Sequence, residues 1–310
     1  MRAHGHHHGH GAHRHHGLDD RPLAVATAIN LALSVLQIVA GLIAGSLALV
    51  ADAVHNLSDA LSLVIALAAR RIARWPAHGG MTFGYRRAEI IAALINLTTL
   101  VAIGFYLVWE AVVRLLLPEP VRGDIVLWVA SFAFLIDLGT VLLTARLARE
   151  SVNVRAAFLH NLADMLGSVA VILAGGAILL YGWQLVDPAV TLLIAGYMLW
   201  HGFREMGPVV RILMGATPVE IDVAELEETL CSLPGVRGVH HLHVWALDER
   251  ELSLEAHIVV PEVGAEEMER IKHRVKRELA ERFGIHHTTL EMEFEGELSL
   301  CPEYRLIEPH

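Results

Sequence analysis

Two short stretches place an imidazole and a carboxylate four residues apart in apolar surroundings: His55-Asn56-Leu57-Ser58-Asp59 and His160-Asn161-Leu162-Ala163-Asp164. At helical spacing, positions i and i+4 lie on one face, so each stretch turns two metal-capable groups the same way. Two such helices together offer His55, Asp59, His160 and Asp164, and four donors is the number zinc prefers. Two neutral imidazoles and two carboxylates around a divalent cation sum to zero charge, which removes most of the desolvation cost of isolated buried acids. The mixed nitrogen and oxygen set suits zinc and tolerates cobalt or cadmium, whereas an all-oxygen set suits magnesium or manganese better. The competing account is that each His and Asp form a hydrogen-bonded pair that joins helices without metal. Repetition of H-N-L-x-D on two separate segments favours metal. Asn56 and Asn161 fit a role in orienting the ligands, because amide oxygens bind zinc poorly beside imidazole and carboxylate.

The segments that must position these groups are long and apolar: residues 23–44, 46–69, 90–117, 124–147, 155–180 and 188–206. Each is near or above the roughly 20 residues that span a bilayer core, and 54% hydrophobic content exceeds that of ordinary soluble domains. The basic residues fall at alternate ends: Arg2, Arg14 and Arg21, then Arg70, Arg71, Arg74, Arg86 and Arg87, then Arg146, Arg149 and Arg155, then Arg204 and Arg211. The opposite side holds only Arg114 and Arg122, so the positive-inside rule puts both termini in the cytoplasm. Both H-N-L-x-D stretches sit several residues inside their spans, and at about 1.5 Å of rise per residue they reach a similar intermediate depth. No pattern of a cleaved signal peptide precedes the first span.

Other polar residues interrupt the spans. Asn30, Ser34 and Gln37 share a face of the first, Asn96 lies in the third, and Asp137, Thr140 and Thr144 share a face of the fourth. Hydrogen bonding between helices accounts for Asn30, Gln37 and Asn96. For the carboxylate of Asp137 two readings stand, glue or a place on a proton path.

Three parts follow: a disordered His-rich tail over residues 1–21, a six-helix transmembrane domain over 22–206, and a water-soluble domain over 207–310 that carries the negative charge, 21 Asp and Glu against 10 Lys and Arg. The tail holds His4, His6, His7, His8, His10, His13, His15 and His16 among Gly, Ala and Arg, a composition with no core to bury; weak metal capture and an inert tail are both open. A further loop histidine, His78, is a possible cytoplasmic ligand. In the last part, Thr217-Pro218-Val219-Glu220 reads as a capping box opening a helix. Residues 239–247 and 252–260 read as strands, 265–283 as an amphipathic helix, and 288–295 as a strand. The expected fold class is an α-helical membrane protein with six transmembrane helices, plus a small α+β (αββαβ, ferredoxin-like) cytoplasmic domain. Cys231 and Cys301 stand far apart without a C-x-x-C partner, against both a disulfide framework and a thiolate cluster.

Six spans, the paired motifs on the second and fifth, and Thr82-Phe83-Gly84-Tyr85-Arg86-Arg87-Ala88-Glu89 leading into the third give a chain that resembles the cation diffusion facilitator family over nearly its whole length. The resemblance implies export of Zn2+, and of Cd2+ or Co2+, in exchange for protons through His55, Asp59, His160 and Asp164. It also implies a homodimer in the plasma (bacterial inner) membrane. Aspartate replaces the first histidine in members of broader metal range, so His55 resembles a zinc-favouring choice. Metal ligands in the cytoplasmic domain carry over onto His240, His257 and Glu291, with His241, His243, His286 and His287 as nearby alternatives and an acid two residues on at Glu293. No P-loop is present, no nucleic-acid partner is implied, and neither stretch has the H-E-x-x-H base of a metalloenzyme. A scaffold or metal sensor using the domain over 207–310 alone, with the membrane pairs structural, is the remaining alternative class.

Overall fold

A computed structural model describes residues 20–147, 152–248, 250–296 and 306–307. The tail histidines His4 to His16 and Cys301 lie outside the described residues. The six apolar segments form long helices: α1 (Asp20–Ala44), α2 (Leu47–Ala73), α3 (Ala88–Leu116), α4 (Gly123–Leu147), α5 (Val152–Tyr181) and α6 (Val186–Leu213). Among the described residues, Leu47–Ala73, Ala88–Leu116, Gly123–Leu142 and Phe158–Tyr181 are long and apolar enough to cross a membrane, and α1 adds a shorter apolar stretch, Ala28–Ala44. Leu42, Trp109, Leu116, Trp128 and Leu180 are exposed, as expected where lipid rather than water is the solvent. The protein is multi-pass. Its sixth helix runs through Gly207 and Pro208 to Leu213, beyond the apolar stretch that marked it in the sequence.

Between α1 and α2 the chain reverses at Gly45, whose φ of 72° is a left-handed conformation that glycine adopts without strain. Ser46 Oγ then accepts the Leu49 N–H at 3.1 Å, capping α2.

The chain divides into two compact units. One contains α1, α2 as far as Ala60, α4 and α5. In it the backbones of α4 and α5 touch: a Cβ on Gly123 would lie 2.7 Å from the Gly175 carbonyl oxygen, and a Cβ on Gly175 would lie 2.9 Å from Leu127 N. Small residues at such crossings let membrane helices approach closely. The other unit contains α2 from Leu61, α3, α6 and the remaining elements. There α3 and α6 pack through Gly104, against Leu199, and Gly202, against Val101. Asn96 Nδ2 on α3 donates to Ser62 Oγ on α2 at 2.5 Å, the interhelical role expected of it.

After α6 come α7 (Val223–Cys231), β1 (Gly238–Ala246), β2 (Leu252–Val260), α8 (Ala265–Phe283) and β3 (His287–Phe294), the expected αββαβ order. The strands lie in the order β1-β2-β3, the first pair antiparallel and the second parallel, with α8 as the crossover. Leu226 and Leu230 of α7 and Ile271, Val275 and Leu279 of α8 bury against Leu254, Ala256, Ile258 and Val260 of β2. The start of α7 corrects the capping-box reading. Asp222, not Thr217, is the N-cap, its side chain accepting from the N–H groups of Ala224 and Glu225. Thr217 to Glu220 precede the helix as loop and turn. In the same unit, Arg86 before α3 pairs with Asp248 and Glu251, and Phe83 meets His287 edge to face at 6.0 Å.

Candidate metal site

The second and fifth helices bring the two H-N-L-x-D stretches together. His55 Nε2 lies 3.8 Å from Asp59 Oδ2 and 3.3 Å from Asp164 Oδ1, while His160 Nε2 lies 3.3 Å from Asp59 Oδ2 and 3.6 Å from Asp164 Oδ2. Imidazole and carboxylate therefore alternate around a closed ring of four. The two rings stand 6.2 Å apart between centroids and nearly perpendicular. His55 is buried, and Asp59, His160 and Asp164 are partly buried. Asp59 Oδ2 and Asp164 Oδ1 are buried atoms, each 3.3 Å from an imidazole nitrogen of the other helix. Carboxylate lone pairs held beside imidazole nitrogens fit a cation lying between them, and His55, Asp59 and Asp164 each present a ligand atom within 4.8 Å of the others. Asn56 is buried next to His55 in the chain, its Nδ2 likewise without a hydrogen-bond partner among the described residues.

A second polar group lies one helical turn away, and sequence reading found only part of it. Asp52, three residues before His55, is buried and accepts from Gln37 Nε2 at 3.0 Å. Ser168, four residues after Asp164, lies with Oγ 2.8 Å from Asp137 Oδ2 and 3.5 Å from Asp52 Oδ2. Asp137 and Gln37 stood out in the sequence as isolated polar residues, but Asp52 did not. The available signal was a second carboxylate at helical spacing from His55.

In the C-terminal domain, β1, β2 and β3 bring His240, His257 and Glu293 together, with one ligand atom from each lying within 4.8 Å of the others. A bulge between His240 and His243, with His241 at φ 51°, breaks strict alternation and buries Val239 and His240 in succession. The His240 and His257 rings donate to separate oxygens of Glu293, at 2.9 and 2.7 Å. Burial pushes the Glu293 carboxyl up, but the hydrogen bonds from His240 and His257 outweigh it and hold the group below its ordinary range.

Glu291 does not occupy that place. It is largely exposed and reaches only His257, at 3.4 Å. His241 stacks on His257 and meets His243 edge to face, whereas His286 and His287 are exposed. His78 belongs to neither cluster: its Nδ1 accepts the Gly80 N–H at 3.1 Å and its Nε2 shares a hydrogen bond with the Tyr85 hydroxyl at 3.0 Å.

Helices with lipid-suited outer faces, a ring of four metal-capable side chains within them, and a small three-stranded sheet domain define a membrane protein of metal handling. Residues 23–214 match the family model for the cation efflux transmembrane domain, and residues 218–295 that for the cation efflux protein, cytoplasmic domain. The chain belongs to the cation efflux family, the cation diffusion facilitators, and is a metal-cation transporter rather than an enzyme.

It is 36% identical to the metal cation efflux system protein CzcD of Cupriavidus metallidurans, over 91% of this chain and 89% of that one. It is 35% identical to the zinc transporter ZitB of Escherichia coli, over 89% and 88%. Identity is 33% to the cadmium, cobalt and zinc/H(+)-K(+) antiporter of Bacillus subtilis, over 94% and 93%. A solved structure of the metal-bound C-terminal domain of the CzcD transporter shares 38% identity over 24% of this chain and 99% of that one, with a TM-score of 0.22.

Proposed function

We propose that this protein exports Zn2+, with Cd2+ and Co2+ as further substrates, from the cytoplasm in exchange for protons, through a tetrahedral site made by His55, Asp59, His160 and Asp164. The observation that carries the reading is the ring in which each imidazole meets both carboxylates at 3.3 to 3.8 Å. Zinc displaces protons from imidazole and carboxylate as it binds. A site opened to one side and then the other by rocking helices therefore exchanges metal for protons without ATP. Relatives named as zinc transporters and as an antiporter of cadmium, cobalt and zinc support the substrate and the coupling.

The protein sits in the bacterial inner membrane with both termini cytoplasmic, a reading that the arginine distribution supports. It works as a homodimer joined in part through the domain after α6, consistent with the match to the family's cytoplasmic domain. His240, His257 and Glu293 hold regulatory zinc there.

Purified protein in lipid vesicles tests this reading. An imposed pH gradient is expected to drive zinc uptake in the wild type, while Asp59→Ala and Asp164→Ala fall to the level of empty vesicles with their dimers intact. Full pH-driven uptake in both variants would show that the ion crosses elsewhere.

A further inference from the structure

Four helices meet beside the proposed transport site at residues with no part in holding metal: Gln37 on α1, Asp52 on α2, Asp137 on α4 and Ser168 on α5. Gln37 and Ser168 are 0% exposed, Asp52 2% and Asp137 9%. Neither carboxylate forms an ion pair with Lys or Arg among the described residues. The ionisable groups that face them are His55 on α2 and Asp164 on α5, while α1 contributes the neutral Gln37.

The cluster is short of hydrogen-bond donors. It holds two carboxylates and an amide oxygen, against one amide NH2 and one hydroxyl. Gln37 Oε1 is buried without a hydrogen-bond partner, although Nε2 of the same amide binds Asp52. Ser168 has one hydroxyl hydrogen, which the 2.8 Å contact assigns to Asp137. With both acids ionised, nothing then joins Ser168 to Asp52 at 3.5 Å, and two negative charges lie buried without a cation. One proton on Asp52 Oδ2 supplies the missing donor and leaves a single buried negative charge. The carboxyl O–H donates to Ser168 Oγ, and Ser168 donates onward to Asp137.

We propose that Asp52 and Asp137, bridged by Ser168, hold one shared proton at a site separate from the four metal-facing residues, and that this proton leaves when metal arrives. Transfer along the bridge is balanced. The O–H bond on Asp52 breaks as one forms on Ser168 Oγ, and the original serine O–H breaks as one forms on Asp137. Gln37 serves both states, since Nε2 donates to an Asp52 oxygen whether that group is ionised or is a carboxylic acid bridged to Ser168. The coupling is electrostatic. Asp52 precedes His55 by one turn and Ser168 follows Asp164 by one turn, so a divalent ion at the ring cancels the negative potential of Asp59 and Asp164 and favours ionisation of the pair.

This deepens the proton-exchange reading, and its first test uses neither gradient nor flux, so the two fail separately. Infrared difference spectra of the full-length protein, wild type minus Asp52→Asn/Asp137→Asn, are expected to show the carbonyl stretch of a protonated carboxyl that disappears on adding zinc. Ser168→Ala keeps both acids, and in it the band is expected to move to higher frequency as the bridge is lost; this variant also carries the test if the double variant fails to fold. In weak buffer, the protons released per zinc bound are expected to fall by about one in the double variant. Absence of the band, a band indifferent to zinc, or an unchanged proton count would overturn the proposal. Loss of the band on adding K+ or Na+ alone would also overturn it, since the oxygens would then be a site for a hard cation.

Discussion

His160 Nε2 lies closer to Asp59 on α2, at 3.3 Å, than to Asp164 on its own helix, at 3.6 Å, and His55 likewise lies closer to Asp164 of α5 than to Asp59. The shorter partnerships run between helices. Zinc affinity, measured by titration against a competing chelator, is therefore expected to respond to His160→Ala and Asp59→Ala as to damage at one shared contact. Each loses more than the roughly 10–100-fold that outer-shell changes cost, and the double variant loses less than the product of the two. Independent, multiplying losses would mean that the pair does not act together.

The cluster of His240, His257 and Glu293 separates two glutamates of one strand face. Glu293→Gln is expected to weaken zinc binding at the His240 and His257 site at least tenfold, while Glu291→Gln changes it little, because only Glu293 reaches both rings. Zinc titrations in an Asp59→Ala/Asp164→Ala background isolate this site. Binding there should weaken on acidification, as protons compete for the imidazoles.

Packing between α4 and α5 gives a paired test. Gly175→Ala puts a methyl 2.9 Å from backbone nitrogen, whereas a Cβ on its neighbour Gly176 meets nothing within 4 Å. Gly175→Ala is expected to destabilise the folded protein by about 1–3 kcal/mol, and Gly176→Ala to be neutral or slightly stabilising. Thermal unfolding in detergent reads both.

At the start of α7, Asp222→Ala removes a side chain that caps two N–H groups and should cost about 1 kcal/mol. Thr217→Ala lies outside the helix and should cost much less. Denaturant unfolding of the two variants compares the caps directly.

These contrasts mark where one-dimensional pattern stops carrying information. His55, Asp59, His160 and Asp164 were legible because helix periodicity fixes side-chain direction within each five-residue stretch, and the apolar flanks identify the solvent. The αββαβ order was legible for the same reason, from alternation in β2 and the 3.6-residue period of α8. Asp52 was not legible as part of a cluster, because Ser168 stands 116 residues away in the chain and only the bundle brings them together. Glu291 and Glu293 share a strand face, so alternation cannot choose between them. The choice is made by strand register and by the bulge at His240. Thr217-Pro218-Val219-Glu220 matches a capping motif as well as any, yet Asp222 binds the free N–H groups of the helix that forms.

The position of β3 also sets an order of events. Glu293 belongs to the last strand, which pairs with β2 only after α8 has crossed over the sheet. A chain still leaving the ribosome has α1 to α6 made while His240 and His257 still lack their carboxylate. During synthesis, the six long helices are therefore complete before the cluster of His240, His257 and Glu293 can assemble.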